Sequence, residues 1–410
     1  MLTAFCKDES GIFAPIYCIA SVPLLAAVAM VVDYSFISTK ASELQNSLDA
    51  TALAIGTEYY SGMTTEELQQ LGEHYFGSNL YGYEPPSELD LELDNSVSAL
   101  EVNATASGDD NFIKVRSKID HEVMIASSDT LSAWRTSYVQ VSPGPPACVL
   151  ALDEHEGQSF KVQGSTQVRF DGCVVASNSD ATDSIYRGGS AQLAAECAFT
   201  VGKTVGLGTS DTDLVCGSAF EGQLASMDPL ADVVPPSYTG CLNVPNGKTK
   251  TLSPGTYCDR TISGDVTLEP GVYILRGGEI KLGGNGSLVG NGVTIFLMEG
   301  AEFGSNANEV IVLTPPSAGP YAGLTIYQES TNTSPLVING TSGSNVEGFL
   351  YAPGAAITYA GTADMAAGGQ CLRLVARTIE MTGNSNVASD CGGVLGGRTM
   401  YASRVLTLVK

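Results

Sequence analysis

The sequence predicts a mixed architecture: a long N-terminal helix that crosses a membrane, a small α+β module, and a C-terminal all-β domain. For that last domain a right-handed parallel β-helix is the first expectation and a β-sandwich the second. Three observations predict it. No residue from Gly11 to Val32 is charged. A Pro/Gly cluster, Ser142-Pro143-Gly144-Pro145-Pro146, interrupts the chain. Beyond it, short alternating runs punctuated by Gly and Asn echo one another.

The first element is the run from Gly11 and Ile12 through Leu24 and Leu25 to Val32. As a helix it is long enough for a hydrocarbon core of about 30 Å, and Pro15 and Pro23 are tolerated in such a helix. A cleaved secretory signal would have a shorter apolar core followed by a small-residue cleavage site. Here the run passes through Asp33 and Tyr34 directly into a second helical pattern, so a retained anchor is expected. Ile37, Ala41, Leu44, Leu48, Ala52 and Ile55 recur every three or four residues. That narrow apolar stripe either packs on the chain's own globular part or forms a seam for a partner helix. A continuous helix over 11–57 would be about 70 Å long.

The step Val32-Asp33-Tyr34, followed by Leu44-Gln45-Asn46, Asp49-Ala50 and Leu53-Ala54, resembles the N-terminal region of TadE/TadG-like proteins of bacterial tight-adherence (Tad, Flp-type) pilus systems. The resemblance implies a non-enzymatic, exported component of pilus assembly, a minor pilin or an adhesion or assembly factor. Its partners would be other pilus-assembly or pilin-like subunits. It also implies the bacterial cell envelope, with a single-pass inner-membrane anchor and the C-terminal domain in the periplasm or outside the cell. The fifth residue after Gly11 is Ile16 rather than the Glu of a processed type IV-type pilin, so cleavage is not expected. No Asp-x-Ser-x-Ser motif occurs, so the metal-binding adhesion domain of some TadG proteins is not expected either.

The second element, residues 58–142, reads as α+β. Thr64 and Glu67 form a capping-box pattern for a helix ending near Gly77. Residues 89–106 and 112–119 alternate as strands do, joined at Gly108-Asp109-Asp110-Asn111. A short helix is expected over 122–128 and a strand over 134–141. Residues 143–146 read as a linker.

The third element, 147–410, carries the repeats. Gly164-Ser165-Thr166-Gln167-Val168 returns as Gly189-Ser190-Ala191-Gln192-Leu193, and Thr251-Leu252-Ser253-Pro254-Gly255-Thr256-Tyr257 returns as Thr267-Leu268-Glu269-Pro270-Gly271-Val272-Tyr273. A period near 20 residues points to stacked coils with a shared core. Asn at the turns is expected to take the left-handed conformation and to stack in ladders. Eight cysteines lie here, and an even number in a Gly-rich β-region points to disulfides and an oxidising compartment. Eight allow on the order of a hundred pairings. Neighbours in sequence are preferred: Cys148 with Cys173, Cys197 with Cys216, Cys241 with Cys258, Cys371 with Cys391.

The formal net charge of −24 argues against nucleic acid and anionic lipid as partners for the bulk of the chain. Zinc spacing and an EF-hand loop are both missing from the sequence. Cys148 and His155 are near in sequence, but Asp153-Glu154-His155-Glu156 reads as an exposed acidic loop. Gly188-Gly189-Ser190-Ala191-Gln192 lacks the second Gly of a nucleophile elbow. Gly283-Gly284-Asn285-Gly286 lacks the Lys of a phosphate loop. Asp171, Asp180 and Asp183 are the candidate carboxylates of a tethered carbohydrate-active β-helix, with a surface glycan as the alternative partner, although turns explain them too. No enzyme activity, cofactor or metal is expected.

Overall fold

In a computed structural model of the protein, the described residues are 13–59, 64–81, 91–94, 111–122, 130–208, 212–306, 308–341, 343–361, 371–388 and 393–409. The chain divides into two compact units, 1–142 with 405–410, and 143–404. The last strand of the expected 147–410 domain therefore belongs to the first unit.

In the first unit, helix α1 runs over Phe13–Glu58 and α2 over Thr65–Tyr81. Thr64 and Glu67 exchange hydrogen bonds at 2.8 and 3.3 Å, so the capping box starts α2 as its sequence specifies. Gly77 does not end it. It is buried next to Phe76, and packing outweighs glycine's low helix propensity. Strands β1 (Leu91–Asp94), β2 (Asn111–Glu122) and β3 (Thr130–Pro143) are antiparallel neighbours, and the C-terminal strand Arg404–Val409 lies next to β3. The core is one face of this sheet: Ile113, Val115, Val139 and Val141 pack with Leu44, Leu48, Ala52 and Ile55 of α1 and with Leu68 and Phe76 of α2. The expected turn at 108–110, the rest of the strand 89–106, and the short helix beyond Glu122 lie outside the described residues.

The second unit is a β-solenoid of three-strand coils. The first three coils are β4 (Ala147–Ala151), β5 (Phe160–Val162) and β6 (Gln167–Asp171); β7 (Val174–Ser177), β8 (Ile185–Arg187) and β9 (Gln192–Ala195); and β10 (Ala198–Thr200), β11 (Thr204–Val205) and β12 (Thr212–Leu214). The next group is β13 (Thr249–Leu252), β14 (Gly255–Cys258) and β15 (Thr261–Ile262); β16 (Asp265–Leu268), β17 (Gly271–Arg276) and β18 (Glu279–Ile280); and β19 (Ser287–Gly290), β20 (Val293–Met298) and β21 (Glu302–Phe303). Then follow β22 (Val310–Leu313), β23 (Leu324–Gln328), β24 (Leu336–Gly340), β25 (Asn345–Val346), the long bent strands β26 (Gly348–Gly361) and β27 (Leu372–Ala388), and β28, the strand Arg404–Val409 of the first unit. All pairings within the solenoid ladders are parallel. This excludes the antiparallel sandwich.

The stacking order differs from the chain order. The principal face reads β10-β7-β4-β27-β26-β23-β20-β17-β14, which is about nine turns. The chain enters at β4 in mid-stack and winds out to β10. It then crosses to the far end and winds back from β14 to β27. There β27 closes on β4, β5 and β6 through the pairs Leu374–Val149, Ile379–Phe160 and Val387–Phe170. One interior core runs through both halves without interruption.

Entry and exit lie side by side. Pro146 bridges Tyr401, the Ala147 amide donates to the Met400 carbonyl (2.8 Å), and the Ala402 amide donates to the Pro145 carbonyl (2.9 Å). The expected linker 143–146 is thus pinned in place rather than free, because the returning chain satisfies its backbone groups.

Residues 223–242 form the strap that makes the crossing. Ser226 and Asn178 exchange hydrogen bonds at 2.7 and 2.9 Å beside β7, and the Tyr351 hydroxyl of β26 donates to Asp228 at 2.7 Å. The Tyr321 hydroxyl donates to the Val234 carbonyl (3.1 Å), the Tyr238 ring lies 4.6 Å from the Arg276 guanidinium, and the Leu242 amide reaches the Thr256 carbonyl of β14 (2.6 Å). Beneath it, Leu230 and Val233 pack on Leu150, Phe296, Phe349 and Val375. The principal face is therefore buried on both sides. Its strands read as unbroken apolar runs such as Ala147-Cys148-Val149-Leu150-Ala151, while β6 and β22 alternate.

Disulfides join Cys148 to Cys173, Cys197 to Cys216, and Cys241 to Cys258. The first clips β4 to the coil of β7, and the other two sit at opposite ends of the stack. Cys371 is also disulfide-bonded, while Cys391 lies outside the described residues. Among the described residues no Asn takes the left-handed conformation expected of the turns. The left-handed non-glycine residues among those described are Gln158, Asp259, Glu299 and Ser403. Glycine supplies most such turns, as it has no Cβ to clash.

Candidate functional site

The feature that calls for a partner is α1. From Ile19 onward it is long and apolar enough to cross a membrane. Leu24, Leu25, Val28, Met30 and Val31 are exposed, and Tyr34 and Phe36 continue that exposure beyond the uncharged run. Val32 is half-buried, and Gly11 and Ile12 lie outside the described residues. So large an apolar surface on one helix has no counterpart in a water-facing element.

The second half of α1 is the reverse. Ala41, Leu44, Leu48, Ala52 and Ile55 are buried in the first unit's own core, and Ile37 is half-buried at its margin. Of the two uses expected for the stripe, packing on the chain's own globular part or a partner seam, the structure shows the first: α2 and the apolar face of the sheet cover it. Polar residues between the stripe positions pin the seat. Gln45 donates to Asp49 (2.7 Å) and to the Thr136 carbonyl (3.3 Å), and the Ser47 hydroxyl donates to the Phe76 carbonyl (3.1 Å). The seat residues on the sheet, Val115 and Val139 among them, were legible as alternation, but their pairing with α1 was not.

Residues 11–55 match the family model of putative Flp pilus-assembly TadE/G-like proteins. The TadE/G-like segment is thus the apolar half of α1 together with most of its seated half. Of the positions in the resemblance, Gln45 fastens the helix to β3, and Asp49 accepts from Gln45 within the helix. No curated protein and no solved structure matches the chain. A TadE/G-like segment on an exposed apolar helix points to a membrane-anchored envelope protein associated with pilus components.

Each candidate carboxylate of the solenoid is engaged by a local partner. Asp171 pairs with Arg169 (2.6 Å), Asp180 with His155 (3.1 Å), and Asp183 accepts from Gln158 (3.2 Å). The hydrogen bond and charge of Asp180 raise the His155 pKa above its ordinary value, on an exposed ring. Cys148 is held in a disulfide, away from any dyad. An open cleft of about 570 Å³ lies between the strap and β14, lined by Pro236, Tyr238, Leu242, Pro254, Val272 and Ile274 among others. No carboxylate, histidine or lysine is among its lining residues. Among the described residues no group of three His, Cys, Asp or Glu side chains could hold a metal ion.

Proposed function

We propose that this chain is a non-enzymatic, membrane-anchored component of a Flp-type pilus assembly system, with the solenoid held on the oxidising side of the membrane. The observation that carries it is the TadE/G-like match on a helix whose first half is bare and apolar and whose second half is built into a folded seat. Disulfides at three places in the solenoid support the exported side, since such bonds persist outside a reducing cytosol. The assembly surface lies outside the α1 stripe, which the chain's own core occupies.

The test is in cells. Site-specific crosslinking from exposed positions such as Tyr34 and Phe36 should capture pilus-assembly proteins, and deleting the gene should impair pilus formation. Blocked thiols in non-reduced, fractionated membranes should report the exported orientation. Recovery in the cytosol with every thiol free, or normal pili in the deletion strain, would overturn the proposal.

A further inference from the structure

The solenoid holds four Asn-Gly pairs, at Asn246, Asn285, Asn291 and Asn339. An asparagine before a glycine is able to modify itself. The backbone nitrogen of the glycine loses its proton and attacks the side-chain Cγ, the side-chain nitrogen leaves as ammonia, and a cyclic imide forms. Water then opens the imide at either carbonyl. One product is aspartate. The other is isoaspartate, in which the main chain runs through the former side chain. The attack needs a glycine N–H that is not held in a hydrogen bond and a backbone that can close the ring.

The fold ties the nitrogen in three of these pairs. The Gly286 amide donates to the Gly283 carbonyl (3.1 Å), and the Gly292 amide donates to the Thr314 hydroxyl (3.1 Å). Gly340 stands opposite Gly361 in the ladder of β24 with β26, and the Asn339 amide donates the other way, to Ser305 Oγ (2.7 Å). Alternation therefore turns the Gly340 amide into the ladder. Asn246-Gly247 differs. Both residues are exposed, and among the described residues neither makes a hydrogen bond. The turn is fastened only on its two sides. Before it, Val244 packs against the interior core and the Leu242 amide donates to the Thr256 carbonyl (2.6 Å). After it, the Lys248 carbonyl accepts from the Asp265 amide (2.7 Å). Gly247 has φ of +122°, and a Cβ there would meet only the Thr249 carbonyl oxygen, at 3.5 Å.

Charge favours the same site. The coil that starts at Cys241 carries Lys248, Lys250 and Arg260 against Asp259, in a chain whose net charge is −24. Loss of the amide proton is assisted by hydroxide, which a strongly negative surface repels. The local cations offset that repulsion and stabilise the amide anion. We infer that Asn246 is a self-modification site of the folded protein, converting to aspartate and isoaspartate with water as the co-reactant. Each conversion releases ammonia and places a new carboxylate two residues from Lys248. Isoaspartate also adds a methylene to the backbone between the Cys241–Cys258 disulfide and β13.

The test uses the full chain, purified in detergent with its disulfides intact and held at mildly alkaline pH in heavy-oxygen water. Peptide mass spectrometry with electron-transfer fragmentation then tells asparagine, aspartate and isoaspartate apart at each position. Freeing a hydrogen-bonded amide before attack slows the step by about tenfold. Asn246 should therefore convert about tenfold faster than Asn285, Asn291 or Asn339, taking up heavy oxygen as it does so. In guanidinium chloride, where no amide is held, the rates should converge. Asn246→Gln, whose longer side chain closes the ring poorly, should lose the signal. Lys248→Gln with Lys250→Gln should slow Asn246. If another Asn-Gly pair keeps pace with Asn246 in the folded protein, or the same ranking persists in denaturant, the fold does not select the site and the inference is overturned. An unchanged rate in the double Gln variant overturns the part assigned to the cations.

Discussion

At the scale of single residues, the repeat Pro254-Gly255 and Pro270-Gly271 shows what a glycine is for. Gly271 has φ of +144°, and a Cβ there would lie 2.4 Å from the Pro254 ring of the preceding coil. Ring and glycine stack, so Gly271→Ala should cost about 1–3 kcal/mol by forcing both strain and clash. Chemical denaturation checks it; an unchanged midpoint would mean the coils can part without penalty. Asp228 makes a second case. Burial raises its pKa above the usual carboxylate value, against the lowering effect of the Tyr351 hydroxyl and the Leu230 amide. A raised native pKa means the native state binds more protons between the ordinary and the raised value. Stability from this group therefore increases as pH falls through the raised value and is lost as pH rises through it. Asp228→Asn should match or exceed the parent's Tm at pH 7, and the acid-side gain, taken as the Tm difference between the two proteins across pH, should vanish. A variant that melts lower at pH 7 would show that the ionised carboxylate holds the strap. Neither role was legible in the sequence. The Pro-Gly echo revealed a repeat but not which atoms meet, and Asp228 sits in a segment with no periodicity at all.

At the scale of elements, α1 was legible in both halves, and for different reasons. The uncharged run is a composition signal, and the stripe from Ala41 to Ile55 is a period signal. What covers the stripe depends on strands far along the chain, including the C-terminal one, so its partner could not be read locally. Because Leu48 is fully buried among Ile113, Val139 and Phe76, Leu48→Ala should destabilise the first unit by about 2–5 kcal/mol. Trp134 fluorescence during denaturation reports on this unit, and a midpoint shift there is expected. No shift would mean that the helix is seated by its polar pins alone. Among the strands, the echo of 164–168 in 189–193 is realised as register, with Gln167 beside Gln192 and Val168 beside Leu193. Among the described residues the left-handed positions are held by glycine and by Gln158, Asp259, Glu299 and Ser403, and none by Asn.

At the scale of the whole molecule, repeat spacing tells that coils stack but not in which order. Echoes between neighbouring coils are the same whether the chain begins at an end of the stack or in its middle. The inversion is set by the strap, whose fit to the principal face depends on side chains as far apart as Asn178, Tyr351 and Arg276. Two consequences separate this arrangement from an ordinary end-to-end winding. The halves 147–222 and 249–388 are held together by the β27 ladder against β4, β5 and β6 and by a shared interior, as well as by the covalent strap. Val234 is exposed on the strap, clear of the apolar contacts of Leu230. A protease site introduced at Val234 and cut in the folded, oxidised protein should therefore leave a single species on size exclusion, with two fragments only after denaturation. The nicked protein should nevertheless melt earlier, since the cut restores chain freedom to the unfolded state while the ladder contacts are unchanged. If the fragments separate on cutting, the strap rather than the ladder joins the halves, and the continuous core between Leu374 and Val149 contributes little.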